Sequence, residues 1–129
     1  MPILSKTDAR LLASLFSNFS DKVALYRRAN TVQLSPERIQ KLADLEYNLS
    51  EESAKMSALA GLLTLGEVKD SVAEISAAVT KAENFLKRVA SVQKGLNVAA
   101  SVLLLAAGIA GKDPKAIGKE LKTLKKLIT

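Results

Sequence analysis

The residues best suited to chemistry are four carboxylates in one stretch of the chain: Asp44, Glu46, Glu51 and Glu52. Carboxylates clustered on a helix can ligate a divalent metal or act as a general acid and base. The chain has no His and no Cys, so the Glu-x-x-His pairs of di-metal bundles are missing. The spacing also differs from that of a calcium loop. We expect a solvated helix face whose acids pair with Arg27, Arg28 or Lys41.

The rest of the chain offers no catalytic constellation. The six glycines are scattered, which excludes a glycine-rich phosphate loop, and no serine has a histidine base to activate it. We therefore expect no enzymatic activity, no metal or other cofactor, and no small-molecule substrate.

Positive charge is concentrated in residues 112–129. The whole chain has a net charge of +6, and this segment sets Asp113 and Glu120 against six lysines: Lys112, Lys115, Lys119, Lys122, Lys125 and Lys126. Such a helix can contact anionic lipid head groups, or it can dock its apolar face on the bundle and keep its lysines in solvent. Nucleic acid is disfavoured as a partner, because this segment has no arginine for bidentate base readout and no aromatic residue to stack on bases.

An uncharged run from Gly95 to Gly111 precedes this segment. A helix that is apolar on all sides must be surrounded by protein or by lipid, and this one would be about 25 Å long against a hydrocarbon core of about 30 Å. Its small residues permit close helix approach. The candidate contacts to another copy, to a helical partner or to a membrane are Leu96, Val98, Ala100, Val102, Leu103, Leu104, Leu105, Ala107, Ile109 and Gly111.

Four amphipathic helices position these residues, at about 5–30, 36–63, 67–110 and 114–128. Their predicted limits are an N-cap at Ser5, the start signal Ser35-Pro36-Glu37, a tight turn at Thr64–Glu67, and Gly111 followed by Asp113-Pro114. A continuous helix through Gly66 is the alternative to that turn. Glu52 interrupts the apolar stripe of the second helix. It is expected to turn to solvent, or else to be buried with a basic partner.

The third helix has the strongest pattern in the chain. Apolar residues alternate spacings of four and three from Val68 to Ala107, which indicates a heptad seam. Gln93 is the polar position in it, and it either fixes register or faces the surface. The helix would be about 65 Å long, unless it breaks near Gly95.

These elements predict an all-α single domain spanning 1–129. It would be an elongated antiparallel helical bundle in which helices two and three form a long heptad-patterned hairpin. Helix one would pack along the hairpin, and helix four would fold back near Gly111.

The predicted function is a structural or assembly subunit that oligomerises or packs into a larger complex through the third helix, because the shorter helices cannot cover it. The alternative is a membrane-associated protein that inserts residues 95–111 and lays the lysines of the last helix on anionic lipid. A partner-binding module, of a chaperone or immunity type, is the third possibility. Charges at Lys6, Asp8 and Arg10 leave no signal-peptide core, so the protein is expected in the cytoplasm or at a membrane after synthesis.

Overall fold

A computed structural model describes residues 6–58, 71–111 and 114–128, and its regular structure in these ranges is helical throughout. The helices are α1 (Lys6–Ala29), α2 (Pro36–Ala58), α3 (Ser71–Arg88), α4 (Val92–Ala110) and α5 (Pro114–Leu127). The all-α prediction is confirmed. The predicted N-cap at Ser5, the turn at 64–67, the end of helix two at 63 and the Lys112-Asp113 pair lie outside the described residues.

The start of α2 is the one that the sequence predicts. Pro36 is the first helical residue, and the Oγ of Ser35 accepts a hydrogen bond from the backbone N–H of Arg38 at 3.3 Å. An N-cap serine satisfies a donor that has no partner within the helix, and proline at the first position loses no helical hydrogen bond.

The described part of 67–110 is two helices separated at 89–91. The prediction of one continuous helix is therefore wrong, and the alternative of a break near Gly95 agrees with the structure. Ser91 has an extended backbone (φ −82°, ψ 118°), and its Oγ accepts from the N–H of Lys94. This cap replaces part of the hydrogen bonding lost at the break. Gly95 therefore lies inside α4 and does not mark the break.

The break changes which face of the chain is buried. The seam positions Ile75 and Val79 before the break are buried, whereas Ala100 and Ala107 after it are only half-buried. Gln93 is exposed, and its Nε2 donates to the Oδ1 of Asn97 at 2.9 Å. The heptad phase of α3 is therefore lost in α4, and Gln93 faces the surface.

The helices form a bundle in which α1 packs against α2 and α3, and α4 packs against the same two helices. Going round the bundle, the order is α1, α2, α4, α3, and α5 folds back onto α4 and α3. The described parts of α2 and α3 do not pack together, so the predicted long hairpin of helices two and three is not confirmed. The helix beside α2 is α4.

The core is mainly aliphatic and receives side chains from every described helix. Its largest fully buried residues are Phe16, Phe19, Leu12, Leu42, Leu49, Met56, Ile75, Leu105, Ile109, Ile117 and Leu124. Burying a side chain of this size contributes about 1.5–3 kcal/mol, so burial of this set drives the association of the helices.

Hydroxyl groups bridge α1 and α2. The Oγ of Ser53 donates to the backbone carbonyl of Ala13 at 2.6 Å, and the Oγ of Ser20 donates to the carbonyl of Glu46 at 2.8 Å. Both serines are buried, and these bonds satisfy hydroxyls that would otherwise destabilise the interface.

Gly95 lets α1 approach α4 closely. A Cβ atom at this position would lie 2.8 Å from the Oη and 2.9 Å from the Cζ of Tyr26. Tyr26 is 7% exposed, and burial raises the pKa of its hydroxyl. The glycine is therefore explained by the ring of Tyr26, which occupies the space of a side chain.

Candidate functional site

The acidic residues of α2 have separate side-chain partners. Glu46 makes a two-pronged contact with Arg27, with Oε2 at 2.6 Å from Nε and Oε1 at 3.3 Å from Nη2. Asp44 accepts a hydrogen bond from Gln40 at 2.9 Å. The expected pairing with Arg27 is confirmed for Glu46. Among the described residues, no group of three or more His, Cys, Asp or Glu side chains could hold a metal ion.

Glu52 lies between the two predicted environments. Its side chain is 17% exposed and forms an ion pair with Lys55, at 3.2 Å from Oε1 to Nζ. The neighbouring Ser53 takes the buried position in the stripe. Glu52 is thus largely covered, and its partner is on the same helix.

Half of the predicted contact residues of the uncharged run face the core of the same chain. Buried members of the predicted set are Leu96, Val98, Val102, Leu105 and Ile109. In the folded bundle these buried side chains cannot contact a partner. The expectation that this small chain leaves the run uncovered is wrong for these positions, because α1, α2, α3 and α5 all contact α4.

The outward residues of α4 form a narrow band, which we call the α4 strip. Its members recur at spacings of four and three, which places them on one helix face: Gln93, Asn97, Ala100, Leu104, Ala107 and Gly111. Leu104 is 52% exposed, and the adjacent Leu103 is half-buried. The strip is polar at its start and apolar from Ala100 onward.

The start of the α4 strip lines a shallow groove between α2 and α4. The α2 residues of this groove are Lys41, Asp44, Leu45 and Asn48, and the strip contributes Gln93, Asn97 and Ala100. Both α2 and α5 pack on α4, and their described parts do not pack on each other. On the α5 side Gly108 permits a close approach, because a Cβ there would lie 3.4 Å from the Cβ of Ala116.

Gly111 ends α4 without the left-handed conformation common in C-terminal glycines. Its φ and ψ are −81° and −1°, and its N–H donates to the carbonyl of Ala107 at 2.8 Å. The predicted end of the helix is confirmed, while the left-handed geometry typical of such a glycine is absent.

The lysines of α5 point in two directions. Exposed on the side away from the core are Lys115, Lys119, Lys122 and Lys126. Lys125 faces α3, with its Nζ 3.5 Å from the Oε2 of Glu74. Lys112 lies outside the described residues. The predicted cationic set is therefore divided between an outward face and the α3 side.

Among the described residues α4 is the helix long and apolar enough to cross a membrane. Of the segment that meets this criterion, 56% is buried inside the bundle. The core helix of a soluble bundle meets the same criterion, so the length and composition of α4 do not distinguish a membrane segment from a core helix.

Comparison with models of known protein families, with curated proteins and with solved structures finds no match. A functional hypothesis therefore depends on the surfaces of the bundle. The sequence prediction missed Gln93 and Asn97 as members of the α4 strip, although the spacing of four and three that they share with Ala100 and Leu104 is visible in the sequence.

Proposed function

We propose that this protein is a non-enzymatic assembly subunit, and that the α4 strip packs against the same strip of a second copy. The observation that supports this most strongly is the exposure of Leu104. It is 52% exposed near the centre of the uncharged run 95–111, whose other large apolar side chains are buried or half-buried.

The α4 strip is complementary to itself in shape. Leu104 projects between Ala100 and Ala107, which lie four residues before and three residues after it on the same face. When two strips pair in antiparallel orientation about a twofold axis, each Leu104 fits over the small residues of the other copy. Small residues at such a contact let two helix backbones come close together.

The size of the strip sets the strength of this contact. From Ala100 to Gly111 it is about 16 Å long, and at about 10 Å width it offers about 160 Å². Stable interfaces bury about 800 Å² on each partner. The edges of α2 and α5 must therefore contribute most of the interface, and we expect a weak dimer.

Analytical ultracentrifugation over about 1 µM to 1 mM tests the proposal. Leu104→Lys places a charge in the centre of the contact and is expected to weaken dimerisation through the α4 strip. Leu25→Lys is the matched control, because Leu25 is 54% exposed and lies on α1. The proposal fails if the unmodified protein is monomeric at every concentration, or if both variants dissociate to the same extent.

A membrane-associated function is the second candidate. It is supported by the length and composition of α4 and by the outward lysines of α5, of which Lys119 and Lys122 are two. Insertion would require α4 to leave the bundle, because Val98 and Ile109 are enclosed. Anionic lipid would be contacted by the α5 lysines before α4 inserted.

Co-sedimentation with vesicles of phosphatidylserine and phosphatidylcholine tests this candidate. Binding is expected to fall when Lys119→Glu and Lys122→Glu are combined, and to weaken with added salt. Vesicles of phosphatidylcholine alone are the control. Absence of binding to the anionic vesicles at low salt would exclude a membrane function for the protein.

A further inference from the structure

A second open surface lies between α3 and α5, away from the α4 strip. It is a groove of about 640 Å³. The α3 residues that line it are spaced to share one helix face: Glu74, Ala77, Ala78, Lys81, Asn84 and Arg88. Lys125 and Ile128 line it from the α5 side. Ala77 and Ala78 leave its floor unfilled because their side chains are small.

The groove carries a surplus of positive charge. Its one carboxylate, Glu74, lies 3.5 Å from Lys125, and both side chains are about half exposed, so this pair is weak. Arg88 donates from Nε to the backbone carbonyl of Asn84 at 3.3 Å. Within the described residues no ion pair joins Lys81 or Arg88 to a carboxylate. The end of the groove near Arg88 is therefore positive.

The outward face of α2 carries two carboxylates at the same interval, flanked by Lys41 and Lys55. Asp44 and Glu51 are exposed and lie seven residues apart. Lys81 and Arg88 are also exposed and seven residues apart. In a helix this interval is about 10.5 Å along the axis and keeps both residues on one face. Tyr47, 66% exposed, lies between the two acids.

We infer that the groove between α3 and α5 binds the outward face of α2 from a second copy of this chain. With the two helices antiparallel, Asp44 of one copy lies against Arg88 of the other, and Glu51 lies against Lys81. Tyr47 then comes within one turn of Arg88, where its ring can stack on the guanidinium group. The recognition is that of a helix bound in a groove, with charge setting the register.

The antiparallel direction is favoured by the charges beyond these two pairs. It brings Lys55 within one turn of Glu74 and places Ala54 opposite Ala78, where small side chains let the helices approach. In the parallel direction Asp44 would lie against Lys81 and Glu51 against Arg88. Glu37 would then face Glu74. Like charges in direct apposition oppose association.

This contact joins two different surfaces, so it is heterologous. A heterologous contact leaves one free α2 face and one free groove in every pair, and further copies can add at both ends. The result is a head-to-tail chain whose length grows with concentration. It uses none of the residues at the centre of the α4 strip, and it does not require the proposed dimer.

Charge-exchange variants in the Leu104→Lys background test the inference without the α4 contact. One variant combines Asp44→Lys with Glu51→Lys, and the other combines Lys81→Glu with Arg88→Glu. By sedimentation velocity, each alone is expected to associate at least about tenfold more weakly than the Leu104→Lys protein, because like charges then face each other. An equimolar mixture is expected to regain association, since each contact between the two different variants again pairs opposite charges.

The control variant combines Lys87→Glu with Lys122→Glu, which lowers the net charge as much as Lys81→Glu with Arg88→Glu does, but outside the groove. Circular dichroism checks that all variants are folded. Recovery in the mixture but not in the separate variants, together with an unaffected control, supports the inference. A mixture that stays monomeric, a control that dissociates equally, or a Leu104→Lys protein that is monomeric up to 1 mM overturns it. Loss of the α4 dimer alone leaves these results unchanged.

Discussion

Replacing Gly95 by alanine separates the packing role of a glycine from its helix propensity. In an exposed helix interior, glycine to alanine stabilises by about 1 kcal/mol. At Gly95 the new Cβ would come within 2.8 Å of the Oη and 2.9 Å of the Cζ of Tyr26. Overpacking of this kind costs about 1–3 kcal/mol. We therefore expect Gly95→Ala to destabilise the protein by about 1 kcal/mol.

Gly118 is the matched control for this experiment. It lies in α5, and a Cβ added there meets nothing within 4 Å. Gly118→Ala should therefore raise the free energy of unfolding by about 1 kcal/mol. With a urea dependence of about 2 kcal/mol per molar, the midpoints of the two variants should differ by about 1 M. The assay is urea unfolding followed by circular dichroism at 222 nm.

A double-mutant cycle identifies the cause of the loss. Tyr26→Leu removes the hydroxyl and the distal ring atoms, so Gly95→Ala in that background should become stabilising. The expected coupling between the two positions is about 2 kcal/mol. The reasoning is refuted if Gly95→Ala stabilises the unmodified protein as much as Gly118→Ala does, or if its effect is the same with and without the tyrosine.

The remaining predictions concern hydroxyl groups. Ser101 is buried, and its Oγ has no hydrogen-bond partner among the described residues. Ser101→Ala should therefore leave the urea midpoint unchanged or raise it. Ser53→Ala should instead lower the free energy of unfolding by about 1–2 kcal/mol, because it removes a 2.6 Å hydrogen bond. Ser91→Ala should cost about 1 kcal/mol through loss of the α4 N-cap, measured by thermal unfolding. Burial raises the pKa of Tyr26 above its model-compound value of 10.0, so the folded state holds this proton more tightly than the unfolded state. Stability should fall as the pH rises above about 10, and in the Tyr47→Phe variant the ultraviolet titration at 295 nm should report Tyr26 alone.

The sequence predicted the helical class and several helix limits because these depend on local signals. Pro36 and Ser35 are adjacent in the chain, and capping needs no knowledge of the rest of the fold. The break at Ser91 is also local in its chemistry, yet the apolar spacing continues through it and hides it. A helix of this composition breaks when packing of the separated parts gains more than the lost backbone hydrogen bonds cost, and that gain depends on distant elements.

The candidate site was predicted in outline only. Leu104 and Leu105 are adjacent and have the same composition signal, but one is 52% exposed and the other is fully buried. Their difference is set by the rotation of α4, which follows from the break and from packing on α2 and α5. The groove between α3 and α5 was not predicted, because Lys125 and Arg88 are far apart in the sequence and meet only through tertiary structure.

The serine bridges between α1 and α2 fix how far one helix can slide along the other. A shift of one turn displaces the helices by about 5.4 Å. The hydroxyls of Ser20 and Ser53 would then lose the carbonyls of Glu46 and Ala13 together. Aliphatic side chains alone would tolerate several such offsets, so these two polar contacts select a single alignment of the pair.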